Sequence, residues 1–123
     1  MKRILIVDDA ATVRLYHAGL LAAAGRHIEQ AVNGIEALEK ALDRPFDLYV
    51  VDVNMPKLDG YGFLEELRGR DLPQAPALMV STEAQGSDRR RALRSGASLY
   101  LVKPVRPVAF CAHCALLLGE RRP

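Results

Sequence analysis

Leu48-Tyr49-Val50-Val51 is an apolar run of strand length that ends directly on Asp52, with Val53-Asn54-Met55-Pro56 following. The run does not alternate polar and apolar residues. It therefore has no face to give to water and reads as a strand buried on both sides, as strands of parallel sheets are. Three other runs share its length and character: Ile4-Leu5-Ile6-Val7, Ala77-Leu78-Met79-Val80 and Leu99-Tyr100-Leu101-Val102. A more polar stretch, His27 to Val32, suits an edge strand.

Helical spacing fills the gaps. Residues 11–24 put Val13, Tyr16, His17, Leu20 and Ala24 on one stripe, with Gly25 as the stop. Residues 34–43 put Ile35, Leu38, Ala41 and Leu42 on one face behind an Asn33/Glu36 capping pair. Residues 60–69 carry Phe63, Leu64 and Leu67. Ser87 can cap a helix through Arg94 with Gly96 beyond it, and 106–118 forms a last helix with Pro107 in its first turn. A β-α order repeated in this way predicts a parallel sheet with helices on both faces.

The chain has 123 residues, the size of one domain, with a core large enough to need no disulfide or metal staple. We read residues 1–119 as the domain and 120–123 as a frayed tail. A net charge of +2 is too small to argue for nucleic acid or an anionic membrane. Met1-Lys2-Arg3 precedes an apolar run too short for a secretory signal, so a cytoplasmic location is expected. Two cysteines fit a reducing compartment and make no disulfide framework.

The chemistry lies directly after each apolar run. Asp8 and Asp9 follow the first, Asp52 the second, Ser81 and Thr82 the third and Lys103 the fourth. In open parallel sheets, sites form at the carboxyl ends of the strands, so these groups converge on one edge. Three close carboxylates repel one another, and a hard divalent cation with oxygen ligands, such as Mg²⁺, relieves this. A carboxylate can take a phosphoryl group as an acyl phosphate while a lysine neutralises the transferring oxygens. The set suits phosphoryl transfer onto an aspartate.

These pieces resemble the receiver domains of bacterial two-component response regulators. Ile4-Leu5-Ile6-Val7-Asp8-Asp9, Asp52-Val53-Asn54-Met55-Pro56 with Asp59-Gly60, Ser81-Thr82-Glu83-Ala84 and Lys103-Pro104 occur in that family's order and spacing, over essentially the whole chain. Leu78-Met79-Val80 before Ser81, and Asn54-Met55-Pro56, look closest to single-domain chemotaxis-type (CheY-like) receivers. The resemblance implies a flavodoxin-like, doubly wound (βα)5 three-layer sandwich with five parallel strands in the order 2-1-3-4-5. It implies Asp52 as phosphoacceptor and Mg²⁺, or Mn²⁺, held by Asp8, Asp9, Asp52 and the main-chain carbonyl of Asn54. Lys103 and Ser81 would contact the phosphoryl oxygens, and Tyr100 would be the switch aromatic that turns inward. Asn54 and Glu83 would set a relatively quick self-dephosphorylation. The Lys103-Pro104 bond is expected to be cis.

The same resemblance implies a sensor histidine kinase or histidine phosphotransfer protein as donor. It also implies a downstream protein at the face made by the fourth helix, fifth strand and fifth helix. Turnover catalysis, direct nucleic-acid contact and membrane contact are not expected. Two positions depart from the family. Val105 stands where a phenylalanine is common, and the last helix lacks the acidic residues that build ion-paired dimers, so a monomer or weak dimer is expected.

Blander readings stand beside these. Asp8 and Asp9 could simply cap the first helix, and Tyr100 could be a static core tyrosine. Cys111 and Cys114, three apart with His113 between, read as packing residues rather than a metal pair. A phosphotransfer role for His17 is conceivable but has no partner motif. Arg89, Arg90, Arg91 and Arg94 are either a solvated helix face or a dock for an acidic partner. Competing functions are an interaction module with a vestigial site, a receiver cut from a larger DNA-binding regulator, and a phosphatase of the haloacid dehalogenase type. The last needs an acid/base aspartate where Asn54 stands.

Overall fold

A computed structural model of the chain describes residues 1–120. Strands β1 (Lys2–Val7), β2 (Arg26–Ala31), β3 (Leu48–Asp52), β4 (Ala77–Ser81) and β5 (Leu99–Val102) alternate with helices α1 (Ala11–Leu21), α2 (Gly34–Asp43), α3 (Gly60–Arg68), α4 (Gly86–Ser95) and α5 (Pro107–Leu117). All strand pairings are parallel, in the order β2-β1-β3-β4-β5, as the sequence predicts.

The unbroken apolar runs are explained by where successive residues go. Leu5, Val7, Tyr49, Val51 and Met79 pack with Phe63, Leu64 and Leu67 of α3 and Ala37 and Ala41 of α2. Their neighbours Ile4, Ile6, Leu48, Val50, Leu78 and Val80 pack on the opposite side with Leu21 of α1 and Phe110 and Cys114 of α5. Each strand thus feeds two separate cores.

Local chemistry sets several helix ends. Asn33 Oδ1 accepts from the Glu36 N–H at 2.8 Å, and Asp59 Oδ1 accepts from the Gly62 N–H at 2.8 Å. Gly96 closes α4 with φ +114, a conformation open to glycine, and Pro107 opens α5.

Three expectations about helices are corrected. Helix α1 stops at Leu21, where the Arg26 guanidinium donates to the Leu21 carbonyl at 2.7 Å; Gly25 (φ +80) instead turns the chain into β2. Ala24 falls beyond the helix and is exposed, Tyr16 is exposed within it, and the buried α1 residues are His17 and Leu21. Ile35 and Leu42 of α2 are also exposed, because Gly34, Ala37, Leu38 and Ala41 form the inward face. Ser87 is not a cap: the N-cap is Gln85, two residues earlier, and α4 begins at Gly86.

Of the expected tail, residues 121–123 lie outside the described residues. Glu120 makes a two-point contact with the Arg26 guanidinium, at 2.5 and 3.0 Å. Among the described residues, no helix is long and apolar enough to cross a membrane.

Candidate functional site

Strand register assembles the site. Val7 lies opposite Val51, so Asp8 reaches the level of Asp52. Asp52 lies opposite Val80, so Ser81 follows one step on, and Ser81 pairs with Val102, next to Lys103. Main-chain bonds hold these ends: Asp8 N–H to Ala31 C=O at 3.1 Å, Val53 N–H to Val80 C=O at 3.1 Å and Lys103 N–H to Ser81 C=O at 2.7 Å.

Asp8 and Asp52 are buried and Asp9 is exposed, with one carboxylate oxygen from each within 4.8 Å of the others. Lys103 Nζ donates to Asp8 Oδ2 and to Asp52 Oδ1, both at 2.9 Å. Burial pushes the Asp52 carboxyl above the usual aspartate range; Asp8 and Asp9 add to this and Lys103 opposes it. Burial alone would lower the Lys103 ammonium, but its bonds to Asp52 and Asp8 carry it above the ordinary lysine value. An oxygen-only, anionic donor set of this kind fits a hard divalent cation such as Mg²⁺. Asp8 Oδ1 accepts from the Ala10 N–H at 2.9 Å, but Ala10 is the N-cap of α1 and no side chain caps it. The capping reading therefore leaves the three-carboxylate cluster unexplained.

Ser81 is buried at the end of β4, with Oγ accepting from the Glu83 N–H at 3.0 Å. Tyr100 is inward and buried, and its hydroxyl donates to the Glu83 carbonyl at 2.7 Å. Ser81 and Tyr100 thus hold the same loop from two sides. Asn54 and Glu83 are both exposed on loops beside the carboxylates. The Lys103–Pro104 bond is cis.

Sequence reasoning missed several supports. Arg14 donates to the Asp8 carbonyl at 2.8 Å and to Gln30 Oε1 at 2.9 Å. Gly60 lies so close to Asp52 that a Cβ there would meet the Asp52 carbonyl oxygen, and only its place beside Asp59 hinted at this. Arg89 donates to the Tyr100 carbonyl at 3.1 Å with its guanidinium 5.4 Å from the ring centre. His17 lines a cavity of about 300 Å³ beside Lys103 and Pro104, its ring 4.9 Å from Phe110 and its Nδ1 unbonded. The cysteines pack: burial pushes the Cys114 thiol up to about 12, and the Cys111 thiol faces the Leu20 carbonyl at 3.4 Å.

Known proteins share this arrangement. The family model described as response regulator receiver domain matches residues 4–115. The transcriptional regulatory protein PrrA of Mycobacterium tuberculosis is 36% identical over 119 residues, covering 97% of this chain and 51% of PrrA. The gliding motility regulatory protein of Myxococcus xanthus is 38% identical over 102 residues, covering 82% of this chain and 13% of that protein. The chain thus spans about half or less of the length of these curated relatives. Among solved structures, the chemotaxis protein CheY4 of Vibrio cholerae superposes with TM-score 0.87 at 33% identity, covering 95% of this chain and 98% of CheY4. A CheY-like receiver from Methanospirillum hungatei superposes with TM-score 0.85 at 30% identity, covering 97% and 94%. Because the family match runs from the first apolar strand into the last helix and takes in every strand-end residue of the site, the chain belongs to the response regulator receiver domain family.

Proposed function

We propose that the chain, over residues 1–119, is a phosphorelay receiver that accepts a phosphoryl group on Asp52 from the histidine of a sensor kinase or phosphotransfer protein. The observation that carries this reading is the Lys103 ammonium held 2.9 Å from Asp52 Oδ1 at the mouth of a three-carboxylate cluster. A carboxylate so placed can attack phosphorus, with the ammonium stabilising charge on the transferring oxygens. Mg²⁺ or Mn²⁺ would be held by Asp8, Asp9, Asp52 and the Asn54 carbonyl, and would supply further neutralisation of phosphoryl charge. The chain is then a signalling module that assists its own phosphorylation and dephosphorylation, working in the cytoplasm, and not a turnover enzyme.

Phosphorylation adds nearly two negative charges and three acceptor oxygens. Ser81 Oγ and Lys103 Nζ are the groups that can bond to them. If Ser81 turns to the phosphoryl group, it releases the Glu83 N–H, and the loop that also binds the Tyr100 hydroxyl is repositioned. That differential contact shifts a two-state equilibrium on the face formed by α4, β5 and α5, which controls binding of a downstream protein.

The test is incubation with Mg²⁺ and acetyl phosphate followed by intact mass, beside an Asp52→Asn control. Gain of one phosphoryl group by the parent alone is the expected result. No gain, with no Mg²⁺ binding, would instead indicate a vestigial site.

A further inference from the structure

We infer, on the reading of Asp52 as a phosphoacceptor with a divalent cation beside it, that Arg14 is a positioning residue for that site. Its guanidinium holds the peptide between Asp8 and Asp9 so that both carboxylates face one cation.

Strand β1 ends at Val7, where its pairing with β2 and β3 stops. Helix α1 begins only at Ala11. Asp8 and Asp9 lie between the two, and neither a strand ladder nor a helix fixes the peptide that joins them. The Asp8 N–H still reaches the Ala31 carbonyl at 3.1 Å. The Asp8 carbonyl lies past the ladder, and its donor is Arg14 Nη1 at 2.8 Å. A peptide unit is one rigid plane, so gripping its oxygen also sets the direction in which Asp9 leaves it.

Asp9 needs this more than its neighbour. Asp8 Oδ1 accepts from the Ala10 N–H and Oδ2 from Lys103 Nζ, so the Asp8 side chain is held at both oxygens. Asp9 is exposed, and among the described residues neither a hydrogen bond nor an ion pair anchors its carboxylate. Yet one of its oxygens lies within 4.8 Å of oxygens of Asp8 and Asp52. Three like charges this close repel one another. An unanchored carboxylate is free to swing away, so its aim depends on the main chain that carries it.

Arg14 is itself aimed. Its Nε donates to Gln30 Oε1 at 2.9 Å. Gln30 lies opposite Ile6 in the β1–β2 register, one residue before Ala31, and its own carbonyl accepts from Lys40 Nζ of α2 at 2.5 Å. The planar guanidinium is therefore fixed at two points, as a single ammonium could not be. Asp8 is tied to the end of β2 on both sides, by its N–H through Ala31 and by its carbonyl through Arg14 and Gln30. Charge and position pull in opposite directions here. A guanidinium bonded to Asp8 repels an incoming cation, so loss of charge alone tightens Mg²⁺ binding, whereas loss of positioning weakens it.

The test titrates the full chain with Mg²⁺ by calorimetry. Groups that hold a metal's ligands in place contribute about 10- to 100-fold to its affinity. Arg14→Met keeps an apolar stem and should weaken Mg²⁺ binding about tenfold. Arg14→Lys, which keeps the charge but not the fork, should also weaken it. Gln30→Leu, which frees one end of the guanidinium, should do so by a smaller factor. Arg70→Met, beyond the end of α3, should change nothing. In metal-free protein, the Asp9 and Ala10 amides should exchange faster in Arg14→Met than in the parent. Phosphoryl uptake from acetyl phosphate by Arg14→Met should be slow at low Mg²⁺ and return to the parent rate once Mg²⁺ saturates. Mg²⁺ affinity equal to the parent's or tighter in Arg14→Met overturns the inference, even where the urea midpoint falls, because a merely structural arginine moves stability alone. Intact mass is read on the same samples. A parent that takes up phosphoryl while Arg14→Met binds Mg²⁺ equally well leaves the proposed function standing without the positioning role. A parent that binds Mg²⁺ in an Arg14-dependent way but takes up no phosphoryl group keeps the positioning role and loses the phosphoacceptor.

Discussion

Lys103 Nζ bridges Asp52 Oδ1 and Asp8 Oδ2 at 2.9 Å each, so one ammonium from beyond β5 neutralises a carboxylate at the end of β3 and one just past β1. Removing it leaves two buried carboxylates facing each other. Lys103→Ala should cost about 3 kcal/mol of stability. It should also abolish phosphoryl uptake from acetyl phosphate. Mg²⁺ should raise the variant's urea midpoint more than the parent's, because a cation that binds only the folded site replaces the missing charge. An equal Mg²⁺ response in both proteins would argue against a cation site among Asp8, Asp9 and Asp52.

His17 predicts a pH dependence. Burial, the leading cause, holds its imidazole below the ordinary value of 6.5, with Asp8 opposing and Lys103 assisting. The unfolded chain then binds the proton more tightly than the folded one. The contribution is fully present above 6.5 and is lost as pH falls through the lower folded value, with a slope of at most about 1.4 kcal/mol per pH unit for one proton. His17→Phe keeps an aromatic ring against Phe110 and should lose this part of the slope. Urea midpoints from pH 7 downward, parent against variant, check it; parallel curves would refute it.

The parallel sheet, its residue groups and the convergence of Asp8, Asp9, Asp52, Ser81 and Lys103 are legible in the sequence because each depends on a short, local pattern. An unbroken apolar run signals burial on both faces, and the residue that ends it falls at the sheet edge. The exposure of Tyr16, Ile35 and Leu42 is not legible. A helix stripe several residues wide does not say which of its margins meets the sheet, and small residues such as Ala37 can hold the inner position instead. Arg14, Arg89 and Gly60 were missed for a related reason. Their partners are the Asp8, Tyr100 and Asp52 main-chain carbonyls, and a carbonyl leaves no mark in a sequence.

Tyr100→Phe removes the 2.7 Å bond from the tyrosine hydroxyl to the Glu83 carbonyl but keeps the ring under Arg89. A net cost of about 1 kcal/mol is expected. Faster amide exchange at residues 83–86 should accompany it, with no change in β1 or β3. Unchanged exchange in that loop would show that the bond does not hold it.

Lys57 has φ +69, with the Leu58 N–H bonded to the Pro56 carbonyl at 2.8 Å around it. That turn is strained for any side-chain-bearing residue. Lys57→Gly should stabilise the fold by about 0.5 kcal/mol, less than the full strain because glycine also loosens the unfolded chain. Gly60→Ala should do the opposite and also slow phosphoryl uptake, since its Cβ would press on the Asp52 carbonyl. Thermal melts with intact mass separate the two effects.

Asn54 and Glu83 stand exposed on the loops that border Asp52. The proposed function assigns them rapid loss of the phosphoryl group, a role the family resemblance implies. Asn54→Arg and Glu83→Lys should each lengthen the lifetime of the phosphorylated form several-fold, followed by intact mass after acetyl phosphate is removed. A lifetime equal to the parent's would end that assignment.

The central sheet separates two interiors. Tyr100, Tyr61, Val53 and Ala92 share the one built with α2, α3 and α4, while Phe110, Cys114, Leu21 and Ile6 belong to the other. Changes on opposite sides share no partner, so their costs should simply add. A lineage descended from this chain can therefore change the packing of one interior without having to compensate in the other. The interior that contains Tyr100 also lies beneath α4, so a packing change there acts directly on the ring whose hydroxyl holds the Glu83 carbonyl.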